Sequence, residues 1–562
     1  MRAGPAPAAT DLWGRTRDTE QRPQLLGRRG QCFEKGTGVI GGEGSGRRHA
    51  RGRRASSRHD KPATPVGGDG GLSVLHPPSP PGGLRGVAAR GLGWTVLRSV
   101  SSRLIGSLVF VVLARLLDPE AFGTVALASV FVVLLSLLVE SGFGEALIQR
   151  RRVSARDLDT AFWANNAIGV LLAAVMVAGA GLIAAPFDQP DLAPVLQALS
   201  VVFVFAALAS VPQALLRREL AFRQVALRGL AGTLAGGAVG VGMALLGFGV
   251  WSLVGQMLAN AVVGTVVLWL ACPWRPGREI SATTFVELFR FGANVLGERV
   301  ALFTSRRSDD FLIGLVLGSV ALGLYTVAYR VLLIITEIII WTVEGVAFPL
   351  FSRLNGDDER AKRAFYNLSQ LCSAVAIPVF LTLAVIAPEL IDVAFGAKWA
   401  EATPVMRVLA LVGIPHAVIY LNKAMVTAAG RPNLSLRVAG LTAAITVVGF
   451  ILVVHWGILA VATSYVVCGY LLVPVSVWSV TRVIGIQLGR YLRLFVAPLT
   501  SGLVMVLALV AAKEALDGVV AGLPLIAVLL VVGTGVYLAM LYGTCPSLVR
   551  SVLSSGRRLV KA

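Results

Sequence analysis

The stretch Val125–Pro186 reads VALASVFVVLLSLLVESGFGEALIQRRRVSARDLDTAFWANNAIGVLLAAVMVAGAGLIAAP. An apolar run (121–139) leads to a knot of arginines, Arg150-Arg151-Arg152 with Arg156, and a second apolar run (161–186) follows it. Each run is close to the roughly 20 residues that an α-helix needs to cross a hydrocarbon core. The same unit recurs to the end of the chain. Further basic connections hold Arg217, Arg218, Arg223 and Arg228; Arg275, Arg278 and Arg290; Arg353, Arg360, Lys362 and Arg363; Arg431 and Arg437; and Arg482, Arg490 and Arg493. The six basic connections thus carry 20 Lys/Arg, whereas the seven that alternate with them carry three, Arg115, Lys398 and Lys513. Short loops rich in Lys/Arg stay on the cytoplasmic side of a membrane. The alternation therefore predicts an even number of spans, fourteen, with both termini cytoplasmic.

Composition excludes an ordinary soluble protein. Over 562 residues, 55% are hydrophobic, 15% are charged and the mean hydropathy is +0.74. A net charge of +20 would suggest nucleic acid in a soluble chain. Here the excess sits in the basic loops and the first ninety residues, where it matches an anionic leaflet, so no nucleic-acid partner is expected. The five cysteines are scattered without paired spacing, which gives neither a disulfide framework nor a metal site; no cofactor is expected. Residues 1–90 carry 16 Lys/Arg against 7 Asp/Glu, with runs such as Pro77-Pro78-Ser79-Pro80-Pro81. They bury too little apolar surface to fold. They read as a disordered basic tail or as a mis-assigned translation start.

What the protein does must be sought where the apolar spans are interrupted. The first span (about 92–117) carries Arg98 and Arg103; the seventh (about 286–317) carries Asn294, Glu298, Arg299, Arg306, Arg307, Asp309 and Asp310. The eighth (about 321–350) carries Arg330, Glu337 and Glu344, and the tenth (about 403–428) carries His416, Asn422 and Lys423. Ionisable groups at such depth are costly and face a protein interior or a hydrated cavity. Arg330, Glu337 and Glu344 stand seven apart, so one helix face carries all three. They form either a salt-bridge ladder or the wall of a cavity, with the two glutamates as candidate ion-coupling groups. No acid lies between Leu92 and Leu117 to neutralise Arg98 and Arg103. These two either snorkel to the surface or bind an anion, since a guanidinium matches phosphate oxygens bidentately. Arg306 and Asp310 are spaced to pair on one face.

Residues 117–128 and 317–328 align at an offset of 200 without a gap, with Leu117/Leu317, Ala121/Ala321, Gly123/Gly323 and Ala128/Ala328 identical. Six spans separate the copies. The repeat is therefore parallel, with halves at 91–274 (spans 1–6) and 275–486 (spans 7–12). Residues 487–562 add spans 13 and 14 and a tail. The expected fold is an all-α polytopic membrane protein of two pseudo-symmetric six-helix lobes plus two C-terminal helices.

Several segments carry a family resemblance: Arg115–Gly123 (RLLDPEAFG), Gly142–Gln149 (GFGEALIQ), Arg217–Arg223 (RRELAFR), Phe289–Gly292 (FRFG), Leu322–Tyr325 (LGLY) and Phe348–Leu354 (FPLFSRL). Their order and spacing resemble the Wzx-type polysaccharide and oligosaccharide flippases of the multidrug/oligosaccharidyl-lipid/polysaccharide exporter superfamily. The resemblance implies two bundles around a central cavity with alternating access. It implies a protein of the cytoplasmic membrane that flips an undecaprenyl-diphosphate-linked oligosaccharide for surface polysaccharide or lipopolysaccharide biosynthesis. Its partners would be membrane lipids, that lipid-linked oligosaccharide, and a polysaccharide polymerase and glycosyltransferases. Arg98, Arg103, Arg299, Arg306 and Arg330 are then the candidate cavity residues for substrate, and Glu337 and Glu344 those for ion coupling. The alternative is a drug/cation antiporter of the same superfamily, for which the glutamates would hold the cation. No H-E-x-x-H, Walker or G-x-S-x-G sequence occurs, so no catalytic residue is expected.

Overall fold

A computed structural model describes residues 103–140, 143–150 and 152–546, and within them the regular structure is helical throughout. Lipid offers no partner to a free N–H or C=O, and a helix satisfies both within one segment. α1 covers 103–116. There follow α2 (Pro119–Glu140), α3 (Phe143–Gln149), α4 (Ala155–Ala184), α5 (Leu192–Leu199), α6 (Val201–Arg218), α7 (Phe222–Leu245) and α8 (Val250–Ala271). The chain continues with α9 (Ala282–Arg353), α10 (Asp358–Phe395), α11 (Ala402–Ala410), α12 (Gly413–Ala428), α13 (Pro432–Val453), α14 (Ile458–Ile484), α15 (Leu488–Leu516) and α16 (Leu523–Thr544). The start of α4 shows how the basic loops set the boundaries. Ser154 accepts from the Asp157 amide at 3.2 Å while Asp157 accepts from the Ser154 amide at 2.9 Å. This capping box opens the helix two residues beyond the arginine knot.

Among the described residues eleven helices are long and apolar enough to cross a membrane, and twelve if the bent pair α11–α12 is one span. That count takes α9 as one. Gly318 breaks it with φ 83° and ψ −178°, a backbone that favours glycine. Beyond it Tyr325 donates to Asp309 Oδ2 at 2.9 Å, although 16 residues of straight helix would hold them about 24 Å apart. The chain thus folds back at Gly318 into two antiparallel arms, which are the expected spans 7 and 8. With α1 as the first, the segments reach the fourteen expected.

The break at Gly318 corresponds, 200 residues on, to the break between α1 and α2 at Asp118. The two elbows meet. A Cβ on Gly123 would fall on the carbonyl of Ser319, and a Cβ on Gly323 would fall on the carbonyl of Pro119. These are one contact made twice, since each partner is the other's equivalent in the repeat. Around it Leu113, Leu127, Leu322, Tyr325 and Trp399 are fully or almost fully buried. Elsewhere Gly232, Gly236 and Gly240 of α7 face Asn260, Gln256 and Ser252 of α8 closely enough that a side chain would collide; small residues let helices approach this way in lipid.

The link between the halves is docked on the first half. Asp159, buried in α4, accepts from the amides of Gly277 at 2.9 Å and Glu279 at 3.3 Å, and Trp163 Nε1 donates to the Gly277 carbonyl at 2.8 Å. Outside the repeat, α15 and α16 pack on α10, with Tyr537 donating to the Ala374 carbonyl at 2.9 Å and Lys513 paired with Glu389 at 2.5 Å.

Candidate functional site

The elbows lie at the end of the helices that carries the arginine-poor connections, and that end is shut. Arg115 donates to the carbonyls of Ala394, at 3.0 Å, and Val393, the last turn of α10, where helix carbonyls lack intrahelical donors. Trp399 Nε1 donates to the Ala114 carbonyl at 2.8 Å, and Lys398 lies 3.5 Å from Asp118. Phe122 meets Trp399 edge-on at 5.5 Å and Phe110 meets Phe395 at 6.1 Å. On the opposite flank Phe311 packs against Phe131 at 6.1 Å and Phe187 at 5.9 Å.

The two arms of α9 place the charged residues by distance from Gly318. Arg306 lies twelve residues before it and Arg330 twelve after, so both stand about 18 Å along the arms. Both are exposed, although each belongs to a candidate span. Arg330 lies over the ring of Phe110 from α1, 5.7 Å from its centroid, a cation–π contact. Arg299 and Glu337 are nineteen residues from the break on either side, about 28 Å along. There Arg103 of α1 lies 3.6 Å from Glu337, and Arg299 forms an ion pair with Glu145 of α3. The side chains of Arg103 and Glu337 are 44% and 50% exposed, those of Arg299 and Glu145 37% and 33%. A charge as open as Glu337 within a candidate span requires water or polar headgroups beside it rather than acyl chains.

Behind the arginines is a buried polar layer. Arg307 pairs with Asp310 at 2.6 Å, Tyr325 with Asp309, and Tyr329 lies 3.3 Å from Tyr465, whose hydroxyl is 3.4 Å from His416 Nε2. Among the described residues no three His, Cys, Asp or Glu side chains gather as a metal would need. An apolar cleft lies elsewhere, between α10, α12 and α15, lined by Cys372, Ile377, Leu421 and Tyr491; none of the candidate arginines reaches it.

Two sequence expectations are corrected. Asp310 takes Arg307 rather than Arg306, because the burial that holds Asp310 against the helix packing favours the neighbour three residues away. Arg103 is not left without an acid, since Glu337 of the eighth span reaches it. Of the remaining candidates, Arg98 and the side chain of Glu344 lie outside the described residues. Glu145 and Asp159 were not foreseen. Both belong to the flanks of the basic Arg150–Arg156 loop, where a carboxylate reads as ordinary loop charge.

A two-copy repeat of spanning helices, shut at one end and charged along its arms, defines a multi-pass membrane protein. Residues 112–404, just over half of the chain, match the family described as polysaccharide biosynthesis protein, and the chain belongs to that family. It is 30% identical over 322 residues to the succinoglycan biosynthesis transport protein ExoT of Rhizobium meliloti (strain 1021), a match covering 57% of this chain and 65%, just under two thirds, of that one. It is 26% identical over 360 residues to the lipopolysaccharide biosynthesis protein WzxC of Escherichia coli (strain K12), covering 63% of this chain and 72% of that one. Its fold is similar to a solved structure described as lipid II flippase MurJ in an inward closed conformation, with a TM-score of 0.68 at 12% identity over 82% of this chain and 100% of that one. The resemblance to Wzx-type polysaccharide biosynthesis proteins therefore holds.

Proposed function

We propose that the protein flips an undecaprenyl-diphosphate-linked oligosaccharide across the cytoplasmic membrane by alternating access, for surface polysaccharide biosynthesis. The observation that carries this reading is the set of open guanidinium groups, Arg103, Arg299, Arg306 and Arg330, on spans 1, 7 and 8 at two depths. Guanidinium replaces the hydration of a diphosphate bidentately, whereas the polyprenyl tail is content among helices or lipid. The alternation of basic and bare loops supports a cytoplasmic charged end and cytoplasmic termini, where such precursors would be loaded. The halves 91–274 and 275–486 would rock about the paired elbows, with 487–562 standing outside. The relatives' names, a transport protein for succinoglycan and a lipopolysaccharide biosynthesis protein, support the substrate class. Polymerase and glycosyltransferases are the expected protein partners.

The antiporter alternative needs carboxylates free to hold a cation. Glu337 and Glu145 are each already engaged by an arginine, which favours the anionic cargo. Deleting the gene is expected to abolish the surface polysaccharide and to accumulate lipid-linked repeat units in the membrane. Unchanged polysaccharide with no accumulation would overturn the flippase reading.

A further inference from the structure

Two ion pairs toward the basic-loop end, Arg103 with Glu337 and Arg299 with Glu145, are related in a way that neither shows alone. Arg103 belongs to the first span of the first half and pairs with Glu337 on the second span of the second half. Arg299 belongs to the first span of the second half and pairs with Glu145, on the helix that follows the second span of the first half. In the frame of the 200-residue repeat, Arg103 and Arg299 are one helical turn apart and Glu337 and Glu145 about two. The pairs therefore cross: each half lends an arginine and takes a carboxylate. A further tie between the halves, Arg150 with Glu287 at 2.5 Å, lies farther along the first arm, beyond Arg299. In both pairs the arginine and the acid come from opposite halves, so both must break before the halves part there.

We infer that Glu145 and Glu337 are resident stand-ins for the diphosphate, occupying Arg299 and Arg103 in the empty protein and yielding them to the cargo. A carboxylate and a phosphate present the same kind of oxygen edge to a guanidinium, so one displaces the other without a change of partner type. Displacement does two things together. It binds the headgroup, and it cuts two of the ion pairs that join the halves at the loading end. Glu145 is thus a positioning residue: it acts on the cargo only through Arg299. Neither pair is buried, so each is weak enough to be exchanged, in contrast to a buried pair whose disruption would strand a charge. The inference rests on the proposed flipping of a diphosphate-linked cargo.

The test is equilibrium binding to the full-length protein in lipid nanodiscs, with farnesyl diphosphate, inorganic pyrophosphate and farnesol as probes. For the wild type, binding of farnesyl diphosphate, and weaker binding of pyrophosphate, is expected. The double variant Glu145→Gln with Glu337→Gln is expected to bind both diphosphates about three- to tenfold more tightly, because the competitors are gone. A structural role for the carboxylates predicts the opposite, since loosening the mouth would weaken binding or leave it unchanged, and either result overturns the inference while leaving the flippase reading intact. A gain that farnesol shares overturns it too, because the headgroup would not be responsible. A wild type that binds no diphosphate overturns both. A second measurement does not depend on the stability of the double variant. The single variants Glu145→Gln and Glu337→Gln each leave one of the two pairs in place; each is expected to show a smaller gain of the same sign, and a loss of diphosphate binding in both overturns the inference.

Discussion

Arg103 has two possible lives, as a tie to Glu337 and as a ligand for cargo, and substitution separates them. Its pair is about half exposed on both sides, so its loss should cost at most about 1 kcal/mol of stability. Arg103→Ala should therefore leave the protein inserted at near wild-type level while reducing export at least tenfold. Arg103→Lys should retain part of it, because charge survives where the bidentate geometry does not. Quantifying surface polysaccharide against protein level by immunoblot would decide it, and a silent alanine would reduce Arg103 to a structural tie. Much at this scale was legible beforehand. Arg103, Arg299, Arg306, Arg330 and Glu337 declared themselves as charges inside apolar runs. Their pairing did not, since Arg103 and Glu337 are far apart in sequence and meet only through the packing of α1 on α9. The choice of Arg307 over Arg306 by Asp310 was equally hidden, because a helix brings residues three and four away equally within reach and tertiary burial decides between them.

The elements that matter most are the two elbows. Their match at an offset of 200 residues could be read from Gly123 and Gly323, and the structure explains why those positions are glycine: each faces a carbonyl of the other elbow. Backbone cannot rotate aside as a side chain can, so Gly323→Ala forces the elbows apart, at about 1–3 kcal/mol for such overpacking. Closure at that end should weaken accordingly. An impermeant thiol reagent applied outside intact cells should then label a cysteine introduced at Arg330 faster in Gly323→Ala than in the same variant with Gly323 intact. Equal labelling would show that the contact seals nothing. Three features of the elements escaped the sequence: the division of the fourth span into α5 and α6, the 40° bend between α11 and α12, and the docking of the interhalf link by Asp159. Each depends on partners distant in sequence, and hydropathy has no access to them.

For the molecule as a whole, the alternation of basic and bare connections makes a sidedness prediction that is independent of substrate. Cysteines introduced at Ser154 and Gln189 lie on opposite ends of α4 and its extension. In intact cells an impermeant reagent should label position 189 and spare position 154, and both should react once the membrane is opened. Strong labelling at 154 alone would invert the orientation and place the charged mouth outside, where a precursor made in the cytoplasm could not load. The end that is shut has a consequence for evolution and for engineering alike. Its closest approach is main chain against main chain, at Gly123 with Ser319 and Gly323 with Pro119, and a peptide group presents the same face whatever residue bears it. Such a door holds no description of what passes through it. On the proposed function, discrimination between one cargo and another would be exercised at the opposite threshold, where exchangeable side chains stand, and that is where a change of cargo would have to be written.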